Sequence, residues 1–198
     1  NGELIRIHQE VDPYLEMAMG EKILFNHKEL DLSVNRLCWQ LIENHCDFEN
    51  TVLIGMQPRG YFFAQKIHDR LLALTSISNI SLGSLDITFF RDDFRRREEP
   101  VVANQTNINF LVEGKKVVFI DDVLYTGRSI RAGMDAINSF GRPQQIELLV
   151  LIDRRFSREL PIEPNYVGKT VDAIDTEKVL VEWSDDKNKN GLVRLIRG

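Results

Sequence analysis

The chain has 198 residues, 43% hydrophobic and 28% charged, which is ordinary for one folded domain with a sizeable core and unlike a disordered chain. Its formal charge of -5 excludes non-specific nucleic-acid binding by the surface as a whole, since that rests on neutralising many phosphates. Two cysteines are too few for a disulfide framework, and with no twenty-residue apolar run or secretory core the expected location is cytoplasmic, with no membrane partner.

Residues 1–25 are the least legible and read as an N-terminal extension, with residues 26–198 as the folded domain. "NHKE" at 26–29 has capping-box spacing, and Leu30, Val34, Leu37 and Leu41 follow at helical intervals, so a helix is expected from about 28 to 45. "TVLIGM" at 51–56 is a short apolar run of the kind that a parallel strand covered on both faces shows. The segment after it carries Phe63, Ile67 and Leu71 at four-residue intervals, giving strand, turn, helix. "SLGSLDITFF" at 81–90 reads as another strand. Residues 91–109 are long, polar and without periodicity, as in a mobile hood, and include Arg95, Arg96 and Arg97.

Strand, turn and helix return in "KKVVFI", "DDVLYTG" and "RSIRAGMDAINSF", the last placing Ile130, Met134 and Ile137 on one face. "IELLVLI" at 146–152 is a further buried strand, and "KVLVEW" and "GLVRLI" close the chain as strands. Alternating strands and helices imply an α/β fold with a central, mainly parallel sheet, whose ligands sit at the carboxyl ends of the strands.

Asp121 and Asp122 fall at such an end, and "VLYTGR" leads from them into a helix start. Free amides at a helix N-terminus favour an anion, Thr126 and Ser129 add hydroxyl donors, and Gly127 permits close approach. Carboxylates repel a phosphate unless they face another part of the same ligand. A sugar phosphate meets both requirements: its hydroxyls donate to the acids while its phosphate lies in the loop. Neither GxxxxGK[ST] nor a GxGxxG fingerprint is present. A bare magnesium site would use the same two carboxylates. The four histidines show no metal-ligand spacing, Cys38 reads as packed, and Trp39 and Trp183 read as core or interface residues.

The run "VVFIDDVLYTGRSIRAGMDAI" resembles the phosphoribosyl pyrophosphate (PRPP) signature of the type I phosphoribosyltransferases, and in wording the PyrR family, uracil phosphoribosyltransferases that double as pyrimidine-operon regulators. "GMQPRGYFFA", "LDITFFRDD", "GRPQQIELLVLIDR" and "RELPIEPNYVGK" resemble PyrR segments in the same order, over roughly residues 28–183. The resemblance implies the type I phosphoribosyltransferase fold with a small hood, and a Mg²⁺-requiring reaction of uracil with PRPP that gives uridine monophosphate (UMP) and pyrophosphate. It places Asp121 and Asp122 on the ribose hydroxyls and the metal, and Leu124, Tyr125, Thr126, Gly127, Arg128 and Ser129 around the 5'-phosphate. It puts Arg59 and Gly60 in the pyrophosphate loop, Arg91 at the start of the hood, and Ile152, Asp153 and Arg154 at the base. PyrR relatives also bind a leader RNA, for which Arg36 on the first helix is the expected contact, and form dimers, so a homodimer or higher homo-oligomer is expected. "DRRFSRELPIEPN" is one residue longer than the usual family turn and has Glu163 where a basic residue is common. An RNA-binding regulator with little catalysis and a purine phosphoribosyltransferase are the alternative readings.

Overall fold

A computed structural model describes residues 21–91, 104–183 and 191–197. The hood arginines Arg95, Arg96 and Arg97 lie outside the described residues. Five strands, β2 (Thr51–Met56), β3 (Ser81–Leu85), β4 (Lys116–Leu124), β5 (Gln145–Arg154) and β6 (Tyr166–Val171), form one parallel sheet in the order β3-β2-β4-β5-β6. Strands β1 (Glu21–Phe25), β7 (Glu177–Trp183) and β8 (Gly191–Arg197) form a smaller antiparallel sheet in the order β1-β8-β7.

The central strands are apolar on both faces because both faces are covered. Helices α1 (His27–His45) and α2 (Arg59–Leu74) pack Leu30, Leu37, Leu41, Phe63, Ile67 and Leu71 against Leu53, Val118, Ile120 and Leu149. On the other side α3 (Arg128–Ile137) lays Ile130, Ala136 and Ile137 over Ile54, Val117, Phe119 and Val150. The capping box of α1 is present: Asn26 Oδ1 accepts from the Glu29 amide at 2.9 Å, and the Asn26 amide donates to Glu29 Oε2 at 2.9 Å.

Several expectations need correction. Residues 21–25 are not part of an extension but a strand paired with β8, so the boundary drawn at residue 26 falls one strand late. The strand expected over 81–90 stops at Leu85, and a short 3-10 turn occupies Thr88–Phe90. Asp86 ends it: its carboxylate accepts from the Thr88 amide and hydroxyl and from the Asn104 amide. Met134, assigned to the buried face of α3, is exposed. Cys38 is buried as expected, its thiol pushed up to about 12 by desolvation. Of the two tryptophans expected in the core or at an interface, Trp39 is half exposed, and Trp183 stacks on Phe63 with ring centroids 5.5 Å apart. Among the described residues no helix is long and apolar enough to cross a membrane.

Candidate active site

The carboxylates do not follow the strand, as the sequence suggests, but belong to it. β4 continues through them to Leu124, with Asp121 opposite Val150 and Leu124 opposite Asp153. The consequence is burial. Asp122 is 5% exposed, and its Oδ2 is buried with no hydrogen-bond partner among the described residues. The Asp122 amide donates to Asp121 Oδ1 at 2.9 Å. Desolvation and then the neighbouring Asp122 charge hold the Asp121 carboxyl well above the usual range. Desolvation also raises Asp122, against the lowering pull of the Arg59 guanidinium. A buried acceptor beside a second acid calls for hydroxyl donors or a cation.

Leu124 is buried and anchors the turn that follows. Gly127, at φ +89°, precedes α3 and supplies no side-chain cap; the Arg128 amide donates to Thr126 Oγ1 at 3.4 Å, and the next amides of the first helical turn keep their capacity for an anion. A methyl group at Gly127 would lie 3.2 Å from Ile162 Cδ1, so the turn is packed from outside. The segment 158–162 braces it further. Arg158 donates to the Tyr125 carbonyl at 2.6 Å, the Glu159 amide to the Thr126 carbonyl at 3.1 Å, and Arg128 pairs with Glu159 at 2.6 Å.

Arg59 opens α2 directly across from the acids. Glycine is required next to it, because a Cβ on Gly60 would stand 2.5 Å from the Ile120 carbonyl oxygen and 2.8 Å from Asp121 Oδ1. The α2 N-terminus therefore touches β4 at the carboxylates.

Of the residues expected from the sequence, Arg59, Arg91, Asp121, Asp122, Tyr125, Ser129 and Arg154 line one cavity of about 590 Å³. Gly60, Leu124, Thr126, Gly127 and Arg128 shape its wall or turn without lining it. Two of the three base-pocket residues are placed elsewhere. Ile152 is fully buried in the core, and Asp153 is ion-paired with Arg158. Gln57, Thr88, Asn104, Lys178 and Val179 join the cavity although the sequence did not single them out. Lys178 and Val179 come from β7, and nothing in "KVLVEW" says that the small sheet folds back over the strand ends.

No group of three or more His, Cys, Asp or Glu side chains comes together among the described residues. Two carboxylates, one with an orphaned oxygen, do suit a Mg²⁺ ion, which takes one or two protein carboxylates and leaves its other positions to substrate oxygens and water.

Residues 21–187 match the family model of the phosphoribosyl transferase domain. The chain is 40% identical over 167 residues to the bifunctional protein PyrR of Enterococcus faecalis, covering 84% of this chain and 92% of that one. It is 39% identical to the PyrR of Actinobacillus pleuropneumoniae, over 88% and 97%, and 36% identical to that of Elusimicrobium minutum, over 89% and 98%. Among solved structures, a hypoxanthine phosphoribosyltransferase from Staphylococcus aureus matches with a TM-score of 0.65 at 17% identity, covering 91% of this chain and 95% of the other. One from Trypanosoma cruzi matches with a TM-score of 0.63 at 16% identity, over 90% and 91%. At that identity the solved structures speak to the fold alone. An acid pair, an open helix start and an arginine at the ends of a parallel sheet thus occur in a chain that belongs to the phosphoribosyltransferase family and, within it, to the PyrR proteins.

Proposed function

We propose that the chain transfers the 5-phosphoribosyl group of PRPP to uracil, forming UMP and pyrophosphate. The observation that carries this reading is the meeting, in one cavity, of a buried acid pair, Arg59 and an uncapped helix start. The 5'-phosphate is assigned to the turn 125–129, the ribose hydroxyls to Asp121 and Asp122, and the pyrophosphate to Arg59 and the hood side at Arg91.

Cleaving the anomeric bond develops positive charge on the ring and negative charge on the leaving group. The acids lie on the ring side, where they orient hydroxyls and balance the ring's charge; Arg59 lies where it can neutralise the diphosphate. Asp121 and Asp122 would hold Mg²⁺, which when bound supplies further charge neutralisation to the leaving group. Water must be excluded from the cationic ring, and the described residues at the mouth, Thr88, Asn104 and Lys178, come from the hood base and the small sheet.

The leader-RNA role has a weaker physical basis. Arg36, the expected contact on α1, spends its guanidinium on the carbonyls of Val167 and Gly168 at 2.9 and 2.7 Å. Its nearest exposed neighbours on that face, Leu32 and Trp39, are apolar, and the further exposed residues Lys28, Glu29 and Glu43 are of mixed charge. Uracil is favoured over a purine by the 36–41% identity to PyrR proteins across most of the chain.

The test is pyrophosphate release from PRPP and Mg²⁺ with uracil, hypoxanthine, guanine and adenine offered separately. Turnover with uracil alone is expected, and turnover with a purine alone would overturn the base assignment. A pyrimidine-gene leader RNA at low salt, with and without UMP, decides the regulatory role, since binding through phosphates weakens steeply with salt.

A further inference from the structure

Arg154 is the last residue of β5 and lies on the cavity wall, yet it is only 5% exposed. Its contacts run in two directions. Its guanidinium sits 4.1 Å from the centroid of the Tyr125 ring, in the turn assigned to the 5'-phosphate. On the other side Nη2 donates to the Ile174 carbonyl at 2.9 Å.

Ile174 is fastened in turn to the small sheet. Its carbonyl also accepts from the Glu177 amide at 3.0 Å, its amide donates to Glu177 Oε2 at 3.1 Å, and Glu177 Oε1 accepts from Arg197 of β8 at 3.2 Å. Glu177 begins β7, and the next two residues, Lys178 and Val179, line the cavity. A continuous chain of contacts therefore joins the turn assigned to the phosphate to β7 of the small sheet, with one side chain in the middle. Tyr125 is gripped a second time through its carbonyl by Arg158, whose other nitrogen pairs with Asp153, the neighbour of Arg154.

The grip on the ring is adjustable where the others are fixed. Tyr125 is exposed, a cation over a ring face tolerates sliding in a way that a hydrogen bond does not, and Arg154 Nε is buried with no hydrogen-bond partner among the described residues. A shift of Tyr125 on occupation of the turn changes the guanidinium's best position, and Nη2 carries that change to Ile174.

Resting on the phosphoribosyl reading above, which gives the turn 125–129 to the phosphate and Arg59 with Arg91 to the pyrophosphate and so leaves the wall at Lys178 and Val179 for the nucleobase, we infer that Arg154 is a positioning residue that couples occupation of the phosphate turn to the placement of Lys178 and Val179.

The probe is ribose 5-phosphate, which fills the turn and carries no base. In the wild-type protein it is expected to slow amide exchange in residues 125–131 and also in 174–181. In Arg154→Met the first protection persists and the second is lost. The KM for uracil at saturating PRPP then rises about tenfold while kcat changes less, the loss expected for one hydrogen bond to a charged group. Arg154→Lys, which keeps a cation near the ring without the planar fork, falls between the two. Should Arg154→Met not fold, Tyr125→Leu puts the same question from the other end of the chain of contacts. Wild-type protection confined to 125–131, or protection of 174–181 that survives in the variants, overturns the coupling while leaving the phosphate site intact. Absence of protection at 125–131 in the wild type overturns the site reading itself, and the coupling with it.

Discussion

Asp122 shows how much one side chain's surroundings say about its use. A carboxylate buried near the end of a strand, with one oxygen lacking a hydrogen-bond partner among the described residues, does not help the fold: desolvation disfavours its charged form. Asp122→Asn is therefore expected to leave thermal stability unchanged or raised. Catalysis should fall by about a hundredfold or more, the typical loss of one well-placed electrostatic group. Unchanged turnover in a folded variant would remove Asp122 from the site. Its place at a cavity was anticipated from the sequence, because two adjacent acids after an apolar run are costly without a ligand. Its burial was not, since the pattern gave no sign that β4 continues to Leu124. His45 is the opposite case, a residue whose structural part had no sequence signal. Its Nδ1 accepts from Thr51 Oγ1 at 3.0 Å and its Nε2 lies 3.1 Å from the Tyr166 hydroxyl, which donates to Glu147 at 2.6 Å and accepts from Asn44 at 3.0 Å. Neutral imidazole satisfies every one of these groups. Burial lowers the His45 pKa from 6.5, with Lys116 acting the same way and outweighing, together with burial, the raising pull of Glu147. A base with a depressed pKa in the folded state takes up its proton more readily when unfolded, so stability is complete above the unfolded value and is lost as pH falls below about 6.5. Denaturant midpoints from pH 8 to pH 5 should decline in the wild type and decline less in His45→Gln.

At the scale of elements, the site depends on how closely α2 approaches β4. Gly60 is the contact point, and a methyl group there would stand 2.5 Å from the Ile120 carbonyl oxygen and 2.8 Å from the Asp121 carboxylate. Gly60→Ala should cost about 1–3 kcal/mol of stability by overpacking and, by displacing Asp121, lower kcat/KM more than an equal destabilisation made elsewhere. Parallel measurement of denaturant unfolding and turnover checks both; a variant with wild-type turnover would mean that the acids tolerate the shift. "PRG" was legible as a loop motif, but the distance that makes its glycine necessary emerges only from packing. Arg36 illustrates a reading that packing redirected. β6 is an edge strand, and α1 covers part of that edge by donating the Arg36 guanidinium to two of its carbonyls. Arg36→Ala should cost about 1 kcal/mol without altering turnover, and measurements of unfolding and kinetics together would show it. A larger effect on RNA affinity than on stability would return Arg36 to the role expected from the sequence. Strand existence was legible for β2, β4, β5, β7 and β8, whose apolar runs stand out, but not for β1 or for β6, where Gly168 and Lys169 interrupt the apolar pattern. Boundaries were not, because Asp86 ends β3 with side-chain hydrogen bonds that no hydrophobic pattern encodes.

For the whole molecule, the order of strands and helices was enough to anticipate a parallel sheet with its site at the carboxyl ends, but not the contribution of the small sheet. β1 lies more than 160 residues from its partner β8, and such pairing leaves no local trace. The small sheet matters to the electrostatics of the site, because it brings Lys178 to a cavity already lined by Arg59, Arg91 and Arg154 against the two acids Asp121 and Asp122. The molecule as a whole carries a formal charge of -5, so the global and local fields act on an anionic substrate with opposite signs. If the global charge governed encounter with PRPP, added salt would screen a repulsion and lower its KM. If the cationic cavity governs, salt screens an attraction and the KM rises. Proximity decides for the cavity, since at physiological ionic strength charges beyond about 8 Å are largely screened while those in the walls of a cleft are not. Raising NaCl from about 50 to about 500 mM at constant free Mg²⁺ should therefore raise the KM for PRPP several-fold and leave the KM for uracil, which is neutral, nearly unchanged. A PRPP KM that falls with salt would show that the cations of the cavity are spent on the protein's own acids.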